Sequence, residues 1–104
     1  MIPYKKLVRG NIPNTILASG RTASTRILGN EEYFQELIKK LYEEISEYQE
    51  SLSVEEIADI LEVLYAIIQH QGFTKDYVEE IRMKKRKLKG GFDAQIYLES
   101  VSED

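Results

Sequence analysis

Apolar residues recur at helical spacing over two long stretches of the chain. Across residues 31–50 they fall at Phe34, Leu37, Ile38, Leu41, Ile45 and Tyr48, one continuous stripe. A second stripe, Ile57, Ile60, Leu61, Leu64, Ile67 and Ile68, runs out near Gly72. Ser53 is a good cap for the second helix, and Glu56 three positions later completes an S-x-x-E capping box. Thr74 caps a third helix over residues 75–88, expected to turn Tyr77, Val78, Ile81 and Leu88 inward before Gly90-Gly91 ends it. Asn11-Ile12-Pro13 reads as the capped start of a short helix, with Gly20 as its stop. Elsewhere the period changes. Residues 22–28 are rich in Thr and β-branched side chains, and Phe92, Ala94, Ile96 and Leu98 alternate with Asp93, Gln95, Tyr97 and Glu99. These two stretches are predicted strands, each the simplest partner for the other. Residues 2–9 look extended, with Pro3 fixing one backbone angle, and residues 101–104 look frayed. No repeat or linker interrupts the chain, so residues 1–104 form a single domain. The predicted fold is mainly all-α: a helical hairpin core with a third helix, plus a small peripheral β-hairpin or strand pair.

The two long helices carry the chemistry. Glu44 and Glu47 form an E-x-x-E, and Glu56 and Asp59 an E-x-x-D, each couple on one helical face. Folding back about Ser51-Leu52-Ser53 sets Glu44 opposite Asp59 and Glu47 opposite Glu56. At about 100° per residue, Glu44 and Glu47 lie roughly 70° and 130° from the centre of their stripe. Glu56 and Asp59 lie roughly 90° and 150° from theirs, in the same rotational sense. That phase predicts all four on one flank of the hairpin, pointing away from its seam. Helical carboxylates commonly do nothing but solvate an exposed face, and Glu56 has a structural use in the capping box. Four at matched height are different. Two carboxylates about 6 Å apart repel by about 2.8 kcal/mol at an effective dielectric near 20, so the set is expected to splay, protonate or bind a cation. Oxygen ligands without His or Cys suit Mg²⁺ or Mn²⁺, and Mg²⁺ commonly shares its shell with phosphates.

Composition narrows the field. Lys and Arg number 14 against 18 Asp and Glu, a net charge of -4, which gives no general attraction to DNA or RNA. The chain has no cysteine, which removes disulfides, zinc-thiolate sites and thiol nucleophiles. No apolar run reaches the ~20 residues of a membrane span, and the start lacks a signal-peptide apolar region. A soluble cytoplasmic protein is expected. Against the acidic balance stands a basic run, Arg82-Met83-Lys84-Lys85-Arg86-Lys87-Leu88-Lys89. Alone it is a solvated face that suits a helix C-terminus, or a nucleic-acid patch. Arg82, Lys85 and Lys89 share one side of it, and Lys6 and Arg9 make a second small basic pair.

Four segments together carry a family resemblance: Tyr4-Lys5-Lys6-Leu7-Val8-Arg9 with Ile12-Pro13; Lys40-Leu41-Tyr42-Glu43-Glu44-Ile45-Ser46-Glu47; Glu55-Glu56-Ile57-Ala58-Asp59-Ile60-Leu61-Glu62-Val63-Leu64; and Lys89-Gly90-Gly91-Phe92. In this order, spanning nearly the whole chain, they resemble the MazG-like, all-α nucleoside triphosphate pyrophosphohydrolases, and within them the proteins similar to phosphoribosyl-ATP pyrophosphohydrolase. The resemblance implies a helical bundle completed by dimerisation, working as a homodimer or homotetramer. It implies Mg²⁺ held by Glu44, Glu47, Glu56 and Asp59, and hydrolysis of a nucleoside triphosphate to the monophosphate and pyrophosphate. Lys6, Arg9, Arg82, Lys85 and Lys89 become the phosphate contacts. The general base would be one of the four carboxylates, or Glu43 or Glu62 beside them. Two positions depart from the pattern. Gly10 stands where relatives often carry an acid, and Lys89 where they often carry Arg, losing the guanidinium fork.

Two other classes stay open on the sequence: a nucleotide-binding regulator or helical interaction module without turnover, and a small nucleic-acid-associated protein using the basic run. His70, the only histidine, reads as a C-terminal helix residue, not a catalytic one. Tyr4, Tyr42 and Tyr65 could stack on a base, although aromatics at helical spacing are usually core.

Overall fold

The computed structural model describes residues 3–103. Ile2 of the expected extended opening and Asp104 of the expected frayed tail lie outside the described residues. Four helices follow one another: α1 Ile12–Ala18, α2 Asn30–Ser51, α3 Val54–His70 and α4 Lys75–Lys89. α1 has Pro13 in its first turn, where the missing N–H costs nothing. Asn11 takes the cap position, but its side chain makes no cap hydrogen bond. Glu31 and Glu32 sit in the first turn of α2, a favourable place for acids beside the helix dipole. α2 ends where Leu52 turns left-handed, at φ 53, and donates its N–H to Tyr48 O at 2.7 Å. Ser53 Oγ then accepts from Glu56 N and starts α3, so the hairpin turn is only two residues long. Thr74 Oγ1 starts α4 in the same way, accepting from Tyr77 N at 3.1 Å.

α2 and α3 pack along their length as an antiparallel pair, and α4 packs against α3 alone. On α3, the side chains turned toward α2 are Glu56, Asp59, Ile60, Val63, Ile67 and His70, all buried or half-buried. Ile57, Leu61 and Leu64 belong to a second apolar stripe that stays exposed. α3 thus has two apolar faces, and the mean direction of its apolar residues lies between them. That is why helical phase misplaced the acids. Glu44, Glu56 and Asp59 are in the seam of the hairpin, not on an outward flank.

Two further expectations are corrected. The described residues contain no strand: residues 21–29 and 95–103 carry no regular secondary structure, and Gln95 is left-handed at φ 57. A β-pattern needs a neighbouring ladder, and a turn at Phe92, where Gln95 N–H donates to Phe92 O at 3.0 Å, breaks the alternation and redirects the chain. The inward stripe of α4 is not covered either. Tyr77, Val78, Ile81 and Leu88 remain exposed because α4 has only α3 to lean on. Leu37 and Val63 are the only buried apolar side chains among the described residues, and neither is wholly shut off from solvent. No helix among the described residues is long and apolar enough to cross a membrane.

Candidate metal centre

Glu44 projects from α2 into the seam and is only 6% exposed. Glu56 and Asp59 reach it from the first two turns of α3, one helical turn apart on the same face. One carboxylate oxygen from each of the three lies within 4.8 Å of the others. Glu44 Oε2 and Glu56 Oε2 are shut off from solvent and have no hydrogen-bond partner. A buried carboxylate oxygen without a partner is costly, so these two call for a proton or a cation. The capping box does not occupy Glu56: Ser53 N–H donates to Ser51 Oγ at 3.3 Å, leaving the Glu56 carboxyl to the cluster. The structural role that the sequence offered for this side chain is taken by a serine.

Glu47, the fourth predicted ligand, is exposed and is not among the three close oxygens, yet it acts on them electrically. Desolvation, followed by contact with Glu56, raises the Glu44 carboxyl above its ordinary 4.5. Glu47 is raised by desolvation and then by the Glu44 charge. Glu56 is raised by desolvation, with the charges of Glu47 and Asp59 adding to it. The ring around them is cationic. Lys40 Nζ lies 3.5 Å from Glu44 Oε1 and 3.4 Å from Glu43 Oε2. Lys6 Nζ is 2.7 Å from Glu43 Oε1, and that hydrogen bond holds the Glu43 carboxyl below its ordinary value. Arg9 Nη2 is 2.6 Å from Asp59 Oδ1. The segment before α1 therefore lies over the acids, and Arg9 balances the one that lies at the rim.

The donor set fits a small divalent cation. All three groups offer hard oxygen, and two oxygens are orphaned. One oxygen from each of Glu44, Glu56 and Asp59 already lies within 4.8 Å of the others, so these are the residues that would hold it.

The structure brings Lys6 and Arg9 to the acids and leaves Arg82, Lys85 and Lys89 elsewhere. Arg82 forks onto Glu79 of its own helix, with Nε 2.9 Å from Oε2. No ion pair joins any of the three to the acidic cluster among the described residues. Lys40 was missed as a site residue, although its i, i+3 and i, i+4 spacing to Glu43 and Glu44 announced the contact. Glu62 lines a separate hollow with Tyr65, Phe73 and Lys75, away from the cluster. His70 packs edge-on against Tyr33 and stacks on Phe34, an aromatic contact at the far end of the hairpin. Comparison with family models, curated proteins and solved structures returns no match for this chain.

Proposed function

We propose that the protein is a Mg²⁺-dependent nucleoside triphosphate pyrophosphohydrolase that removes non-standard nucleotides in the cytoplasm. The observation that carries this reading is Glu44: an almost wholly buried carboxylate with an unpartnered oxygen, facing two more acids under a pair of cations. Buried like charges are unfavourable without a task or a counter-ion. Glu44, Glu56 and Asp59 would hold the cation, with Glu47 beside them. When bound, the ion supplies positive charge against the triphosphate and makes water more acidic.

The chain's own residues account for the rest. Lys6 and Arg9, which pair with Glu43 and Asp59, would grip phosphate oxygens and stabilise charge gathering on the pyrophosphate leaving group. Lys40 keeps Glu43 and Glu44 in register. Glu43 is a poor base, since Lys6 and Lys40 both hold its ionised form. Glu47 is the better placed: exposed and next to the cluster, it can take a proton from the attacking water. Water adds to the phosphate chain, and the anhydride between the monophosphate and the pyrophosphate breaks. The exposed apolar stripe of α3 supports a working dimer or tetramer, as an isolated hairpin this thinly buried is marginal.

The test is a panel of normal, deaminated and oxidised triphosphates with Mg²⁺. The expected result is monophosphate and pyrophosphate in equal amounts, reduced by about a hundredfold in Glu44→Ala and Asp59→Ala. Two observations favour a second reading, a nucleotide-binding regulator: Arg9 already pairs with Asp59, and no ion pair joins the α4 cations to the acids among the described residues. Metal and nucleotide binding with no turnover across the panel would establish that reading instead.

A further inference from the structure

Tyr4 and Lys6 flank an unusual backbone position. Lys5 between them is left-handed at φ 49, a conformation that its β-carbon disfavours. Strained positions of this kind gather where ligands are gripped. In that turn Lys6 Nζ stands over the Tyr4 ring, 4.9 Å from its centroid, and also lies 2.7 Å from Glu43 Oε1. Glu43 adjoins Glu44 of the acidic cluster, so Lys6 links an aromatic ring to the proposed metal centre. Packing does not use that ring, since Tyr4 is 70% exposed. We infer that Tyr4 is the stacking platform for the base of the bound nucleotide, and that it makes the site prefer a nucleoside triphosphate to a polyphosphate without a base. The platform presupposes the nucleotide reading of the site, to which it adds the group that meets the nucleoside.

Tyr4, Tyr42 and Tyr65 all qualify by residue type, and the structure separates them. Tyr65 has Lys75 Nζ 4.3 Å from its ring centroid and lines the hollow with Glu62 and Phe73, away from the cluster. Tyr42 lies two residues before Glu44 on α2, about 200° round the helix from it. Tyr4 alone of the three shares a cation with the acids. Nor is it a core aromatic at helical spacing, because residues 3–10 carry no helix. Lys6 stands over one face of the ring, and a planar base can lie on the other. Such stacking tolerates a change of base, since every base has a π-face. Lys6 and Arg9 belong to the same segment, so one stretch of chain would meet both base and phosphates. That suits a site which accepts several altered bases yet favours nucleotides over bare polyphosphate.

The test is calorimetric titration of the full chain in excess Mg²⁺ with two ligands. One is inorganic tripolyphosphate, and the other a nucleoside triphosphate whose α,β bridge is a non-hydrolysable methylene. In the parent chain the nucleotide analogue is expected to bind about tenfold more tightly than tripolyphosphate. Tyr4→Ala should remove that advantage, weakening the analogue by about tenfold while tripolyphosphate stays within about twofold. Tyr4→Phe, which keeps the aromatic face, should retain it, and Tyr42→Ala should change neither ligand. The inference is overturned if Tyr4→Ala weakens both ligands alike or neither, or if Tyr4→Phe behaves as the alanine variant does. A parent that binds both ligands equally overturns the platform and leaves the phosphate site standing. A parent that binds neither overturns the nucleotide reading itself, and the platform with it.

Discussion

Glu44 has one counter-charge, Lys40, and two acidic neighbours in the same seam. Its raised affinity for protons, shared with Glu47 and Glu56, has a definite consequence for stability. A carboxyl that is raised in the folded state favours folding while protonated, fully so below its unfolded value, and loses that contribution as pH climbs through the raised value. Without divalent cations the melting temperature should therefore fall from the ordinary carboxylate range toward neutral pH, and Glu44→Gln should flatten the fall. Magnesium should restore the loss at neutral pH in the parent chain and not in Glu44→Gln. Glu43 behaves in the opposite sense: Lys6 depresses it, so its contribution is present above the ordinary value and disappears as pH drops through the depressed one. Thermal melts across pH, with chelator and with magnesium, separate these windows. Arg9 supplies a second residue-scale prediction. It competes with a cation for Asp59, so Arg9→Gln should tighten magnesium binding a few-fold, a modest gain because solvent screens the rim. The same change should weaken triphosphate binding by about tenfold, which calorimetric titration of each ligand would show. The acids themselves could be read from the sequence, whereas the Lys6–Glu43 and Arg9–Asp59 pairs could not. Each joins positions far apart in the chain and depends on how the opening segment crosses the hairpin.

At the scale of elements, local chemistry fixed the helix starts. Ser53 and Thr74 cap α3 and α4 as their hydroxyls required, and the hairpin turn falls where the two apolar stripes part. Leu52 is the exception, a β-carbon held at positive φ with its side chain 70% exposed. Leu52→Gly should relieve left-handed strain of about 1 kcal/mol, partly offset by the extra freedom of glycine when unfolded. A small rise in urea midpoint with an unchanged slope is the expected outcome. Burial was less legible than boundaries. The apolar count on α3 mixed the stripe facing α2 with the stripe facing outward, so the seam acids were assigned to a flank. The strand signals were β-branched content at 22–28 and alternation at 92–98, and neither stretch forms a strand. Alternation alone does not name a partner, and the protomer provides none.

The whole molecule explains why burial was hard to read. Its extents are 64 × 32 × 26 Å, an elongated outline in which α4 packs on α3 alone. Sequence rules for amphipathic elements assume that each apolar face meets another within the chain. Here Tyr77, Ile81, Leu61 and Leu64 remain open, and the helical architecture is secured mainly by the α2–α3 pair. The acids sit within that pair, so the proposed chemistry belongs to the most firmly packed part of the protein. Manganese titration followed by electron paramagnetic resonance tests that claim most directly. The account predicts one saturable ion per chain, displaced by magnesium and lost in both Glu44→Gln and Asp59→Asn, with the helical content of the variants unchanged. Weak, unsaturable binding that is the same in the parent and both variants would contradict it.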